Sequence, residues 1–80
     1  MIKCKNIIEL RKRFEKFVWP ADIDGYYGAY MREFMITVES RDGKGKKKYI
    51  DLLTDILERE MDSERRREIK YLIWEIKHFK

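Results

Sequence analysis

The sequence predicts a small α+β domain in the order helix, β-hairpin, helix, helix, with an all-α four-helix bundle as the alternative. Three observations carry the α+β reading. Ile36-Thr37-Val38 is a β-branched run, stiff at χ1 and suited to a pleat. Phe34, Ile36 and Val38 alternate with Glu33, Thr37 and Glu39, as in a half-buried strand. An Asp42-Gly43 turn signal then leads into Lys48-Tyr49-Ile50, a natural returning strand.

Each element has its own warrant. From about Lys3 to Val18 the chain reads as a helix, with Ile7, Leu10, Phe14 and Phe17 on one face and Cys4 and Val18 flanking it. Lys5, Lys12, Arg13 and Lys16 fall largely on the other side. Pro20 ends this helix, because the residue before a proline is pushed out of the α region. Asp22-Ile23-Asp24-Gly25 is a turn.

Residues 26–40 fit two periods. Tyr27, Tyr30, Met31, Phe34, Met35 and Val38 would share one helical face. In that version Gly28 lies inside the helix at a cost of roughly 1 kcal/mol, which favours the strand. A third short strand over Tyr26–Tyr30 fits the same sheet.

The second helix is expected from Asp51, as N-cap, to Met61. Starting it at Lys46 would crowd lysines at the positive end of the helix dipole. Leu52, Leu53, Ile56 and Leu57 point inward. Asp62 or Ser63 caps a third helix running to about Phe79, with Ile69, Leu72, Ile73, Ile76 and Phe79 inward.

Eighty residues make one domain spanning 1–80. No apolar run approaches the roughly 20 residues that a membrane span needs. The start, Met1 to Lys5, leads into no uninterrupted apolar stretch, so a cytoplasmic protein is expected, with no membrane partner. Cys4 is the only cysteine, which excludes an internal disulfide and a multi-cysteine metal site.

The net charge of +4 is laid out in blocks of alternating sign: +4 over residues 1–18, −3 over 19–40, +4 over 41–50, −4 over 51–63 and +3 over 64–80. A uniform basic coat is therefore absent, and the surface has basic and acidic faces.

The chemical inventory is thin. Cys4 and His78 are single members of their kinds and would need the chain ends to meet, with no third orienting group. Asp22-Ile23-Asp24-Gly25 has its glycine too early for a calcium loop. Gly43-Lys44-Gly45-Lys46 lacks phosphate-loop spacing. No catalytic residue, metal or cofactor is expected.

Two surfaces remain as candidate contacts. Asp51, Asp55, Glu58 and Asp62, spaced four, three and four apart, form an acidic stripe. Asp55 also pairs with Arg59 at i+4. The basic and aromatic set comprises Lys44, Lys46, Lys47 and Lys48 at the hairpin tip, with Arg66, Arg67, Lys70, Tyr71 and Trp74 on the last helix. Trp74 and Tyr71 lie away from its Ile69–Ile73–Ile76 face, beside Arg67, Lys70 and His78. Tryptophan beside cations anchors protein interfaces or stacks on bases, unless it packs inside.

These features favour a small non-catalytic protein-binding module, an inhibitor or regulator of a nucleic-acid-processing machine. In size and layout the chain resembles small phage and mobile-element proteins that block host machinery, anti-CRISPR proteins among them, though no motif carries that likeness. The alternative is a small DNA- or RNA-binding protein using the basic hairpin and the Trp/Arg/Lys helix face. The outer aromatics of the last helix also allow a homodimer.

Overall fold

The computed structural model describes residues 4–40 and 42–79, all of them helical or in connections. Lys3 and Arg41 lie outside these residues, but Cys4, Lys5 and Asn6 are not helical, so the first helix starts at Ile7 and not at about Lys3 as expected. Four helices follow one another: α1 (Ile7–Phe17), α2 (Tyr27–Glu39), α3 (Gly43–Arg59) and α4 (Ser63–Lys77), with a 3₁₀ turn at Pro20–Asp22. The α+β reading is overturned, since no strand occurs among the described residues, and the four-helix alternative fits.

Local chemistry starts and stops these helices. Asn6 caps α1 by accepting the Glu9 N–H at 3.0 Å, and the Glu9 carboxylate accepts the Lys5 N–H at 2.7 Å. Trp19-Pro20 then turns the chain out of α1, as expected. Asp42 caps α3 through the Lys44 N–H, and Asp62 caps α4 through the Arg65 N–H. The Arg66 guanidinium donates to the Leu57 and Glu60 carbonyls, satisfying the free end of α3.

Residues 26–40 form α2 and its flanks, not strands, because the helical period buries more. Met31, Phe34 and Val38 are buried, whereas Ile36, which a strand would have turned inward with Phe34, is 62 % exposed. The helix penalties of Ile36, Thr37 and Val38 are about 0.5 kcal/mol each. Burying an aromatic or aliphatic side chain is worth about 1.5–3 kcal/mol. Gly28 falls in the first turn of α2, where helical backbone is least committed.

The expected hairpin, too, is helix. α3 begins eight residues before the expected cap at Asp51, which sits mid-helix and accepts from Lys47 at 3.0 Å. Lysines at the positive end cost a few tenths of a kcal/mol each. Starting early places Tyr49 four residues before Leu53, completing a buried stripe with Ile56. Tyr49 meets Phe34 and Phe14 edge-on, with ring centroids 5.1 and 5.9 Å apart, and those two rings stack at 4.1 Å.

Gly45 marks a close approach of α3 to α2, not a turn. A Cβ there would lie 2.5 Å from Thr37 Cγ2 and 2.8 Å from Asp42 Oδ2. Alanine normally gains about 1 kcal/mol over helical glycine, and overpacking costs about 1–3 kcal/mol. Gly45→Ala is therefore expected to lose about 1 kcal/mol net in urea unfolding, and adding Thr37→Ser is expected to recover most of it.

Each helix packs on its sequence neighbours, and α1 closes the ring against α4. One core fills the centre, including Leu10, Phe14, Phe34, Leu53, Ile69 and Leu72, each with no exposed surface. The contacts Arg13–Glu75, Lys16–Glu68 and Arg65 over Phe17 run α1 antiparallel to α4. No helix among the described residues is long and apolar enough to cross a membrane.

Candidate functional site

The α4 sequence turns one set of residues inward and a different kind outward. Ile69, Leu72 and Ile76 are buried, with Ile73 half-buried beside them. The opposite side carries Arg67, Lys70, Tyr71, Trp74, Lys77 and His78, by the 3.6-residue period. Tyr71, Trp74 and His78 recur at i, i+3 and i+7, so their rings meet along the helix. Tyr71 and Trp74 lie 5.9 Å apart and 28° from parallel; Trp74 and His78 lie 4.8 Å apart at 35°. Trp74 is 46 % exposed, so it does not serve the core.

Arg67, Lys70 and Lys77 are exposed and make no ion pair among the described residues. The result is a ridge of mutually braced rings flanked by exposed cations on one helix face. Lys77 and the bracing role of His78 were not foreseen, although the i, i+3, i+7 spacing carried the signal.

The other expected surfaces are rearranged. The four lysines are not a hairpin tip but the first turns of α3, and they point in different directions. Lys44 is exposed and Lys46 is buried. Lys47 pairs with Asp51. Lys48 pairs with Glu33 at 3.6 Å and lies over the Tyr30 and Tyr49 rings. Arg66 caps α3 and is half-buried.

The acidic stripe is interrupted. Asp51, Asp55 and Glu58 are exposed on α3, but Asp62 lies past its end and caps α4. Arg59 does not pair with the Asp55 carboxylate; its Nε donates to the Asp55 carbonyl at 3.4 Å and its guanidinium reaches Asp22 at 3.8 Å.

Two further features had no clear sequence signal. Glu75 is buried on α4, with one oxygen 2.6 Å from the Arg13 guanidinium and the other accepting the Cys4 N–H at 3.3 Å. Arg13, expected on the solvent side, therefore turns toward α4. Burial, then the hydrogen bond and charge of Glu75, push the Cys4 thiol up to about 12. That environment is the reverse of one that makes a nucleophilic thiolate. His78 stands in the ring ridge. No cluster of three metal-ligating side chains occurs among the described residues.

The second feature is a cleft of about 220 Å³ where the α1–α2 connection meets the α3–α4 turn. Phe17 and Ile56 form its apolar floor, and Trp19, Asp22, Arg59, Glu60 and Arg65 surround it. Arg65 pairs with Glu60 at 3.0 Å and lies over the Phe17 ring, and Arg59 faces Asp22. The Arg65 hydrogen bond and the Asp62 N–H hold the Glu60 carboxyl below its ordinary range. Trp19 is 64 % exposed on the rim, and Met61 beside Glu60 is 93 % exposed.

Fold and surface together define a small all-α domain of four helices with an aromatic–cationic outer ridge on the last one. No family model, curated protein or solved structure matches the chain.

Proposed function

We propose that this protein is a non-catalytic protein-binding module that presents the outer face of α4 to a partner's apolar groove rimmed by carboxylates. The observation that carries this reading is Trp74, half-exposed and braced between Tyr71 and His78 beside three exposed cations that pair with no carboxylate among the described residues. Anchors at i, i+3 and i+7 are how an amphipathic helix engages a groove. Tryptophan, tyrosine and arginine dominate interface hot spots, and rings already held in place lose little side-chain freedom on docking. Arg67, Lys70 and Lys77 supply the complement to an acidic rim and steer the encounter.

A nucleic-acid role draws on the same cations. In that role the exposed Trp74 would stack on a base and the cations would follow a phosphate backbone.

The test compares wild type with Trp74→Ala and Arg67→Glu, first in capture and then with the purified partner by calorimetry. Trp74→Ala is expected to weaken binding by about 2–4 kcal/mol, roughly 30- to 1,000-fold in Kd, with the fold unchanged by circular dichroism. Labelled oligo(dT), oligo(U) and duplex DNA are titrated alongside. Tight binding of an oligonucleotide that collapses with salt and with Trp74→Ala would replace this reading with the nucleic-acid one.

A further inference from the structure

The outer face of α2 differs in kind from that of α4. By the 3.6-residue period it carries Ala29, Arg32, Ile36 and Glu39, all exposed, with the half-buried Met35 beside Ile36. Arg32 and Glu39 flank the apolar pair Met35-Ile36, one on each side and at equal distance. They stand two helical turns apart, about 10 Å along the axis, too far to pair with each other. Neither makes an ion pair among the described residues. The charges nearby are matched within the chain: Glu33 on α2 faces Lys48, and Arg11 on α1 faces Glu15. Ile8, half-exposed on the flank of α1 away from Arg13 and α4, widens the apolar centre.

This order of charges singles out the occupant. A two-fold axis between Met35 and Ile36 runs two copies of α2 antiparallel and sets positions equidistant from the axis opposite each other. Arg32 of each copy then meets Glu39 of the other, so two unpaired charges become two ion pairs around a centre of Met35 and Ile36. Opposite signs at equal distances from one point are what a two-fold contact requires. Through α4 the same operation would set Arg67, Lys70 and Lys77 against their own copies.

We infer that the outer face of α2 is a self-association surface, on which a second copy of the chain packs α2 antiparallel to α2 about Met35 and Ile36. One helix face per chain makes a small contact, so the dimer is weak and concentration-dependent. It leaves the α4 ridge open.

Sedimentation equilibrium from about 10 µM to about 1 mM, a range suited to a weak contact, tests it. The wild-type mass is expected to rise from one chain toward two. Arg32→Glu sets carboxylate against carboxylate twice and is expected to weaken association at least about tenfold. The double variant Arg32→Glu/Glu39→Arg restores both pairs with the signs exchanged and is expected to associate like wild type. Both positions are exposed, so circular dichroism of each variant is expected to match wild type. Trp74→Ala is also expected to associate like wild type. A wild-type mass that stays at one chain would overturn the inference. So would wild-type association of Arg32→Glu, failure of the double variant to recover it, or its loss in Trp74→Ala, which would move the contact to α4.

Discussion

Phe14→Ala is expected to remove about 4 kcal/mol of stability, the largest loss of any single substitution in the core. Phe14 has no exposed surface, stacks on Phe34 at 4.1 Å and meets Tyr49 edge-on, so it joins α1, α2 and α3. Truncation removes the transfer energy of the ring and leaves a cavity that three helices cannot close together. A domain of this size holds only about 4–12 kcal/mol in total, so the variant is expected near the edge of folding at 25 °C. Urea unfolding followed by circular dichroism reads the loss. Ile36→Ala is the matched control, because Ile36 is mostly exposed on α2 and is expected to change stability by less than about 0.5 kcal/mol. A strand at that position would reverse this order, with Ile36 costing as much as a core residue.

Glu75→Ala is expected to cost about 3 kcal/mol, for a different reason. The loss of the carboxylate removes the acceptor of the buried Cys4 N–H and one partner of the part-buried Arg13 guanidinium. Breaking one side of a buried pair is worse than removing both, since the remaining charge keeps its desolvation penalty. The double variant Arg13→Leu/Glu75→Leu is therefore expected to recover more than half of the loss. A second readout separates local from global effects. Cys4 is nearly buried and its thiol is held protonated, so it is expected to react slowly with a thiol reagent at pH 8 in wild type. Glu75→Ala is expected to speed that reaction, because it unties the segment before α1. Reaction at the wild-type rate would show that Glu75 does not hold this segment.

These two sites differ in how far the sequence foretold them. The face Ile7, Leu10, Phe14, Phe17 follows from spacing alone, and each of those side chains is buried. The same holds for Leu53 and Ile56 on α3 and for Ile69, Leu72 and Ile76 on α4. Glu75 could not be read this way. A glutamate beside an apolar stripe is usually solvated, and its burial depends on Arg13, sixty-two residues away, facing it.

The misplaced hairpin has a similar origin. Ile36-Thr37-Val38 and Asp42-Gly43 carry genuine local strand and turn preferences, each worth a few tenths of a kcal/mol to about 1 kcal/mol. They are outweighed by packing that joins distant segments: Phe34 on Phe14, Tyr49 on both, and Gly45 against Thr37. Gly45 shows the point in one residue. Read locally it signals a turn; in the bundle its missing Cβ lets two helices touch.

The candidate surfaces divide along the same line. The outward direction of Trp74 and Tyr71 was legible from the period of α4, since helical geometry fixes which residues oppose the core. Whether the cations around them were free was not. Lys46, Lys47 and Lys48 look as available in the sequence as Lys70, yet one is buried and the other two face Asp51 and Glu33.

By itself the sequence determined the apolar faces of the first and last helices, the cap at the Asp62–Ser63 start of the last one, and the outer ridge of α4. All of these follow from contacts within a few residues. Only the tertiary structure decided that residues 26–50 coil into helices, that Glu75 is buried, and that Trp19 borders a cleft. Those outcomes rest on contacts between distant segments, whose summed burial exceeds the local preferences they override.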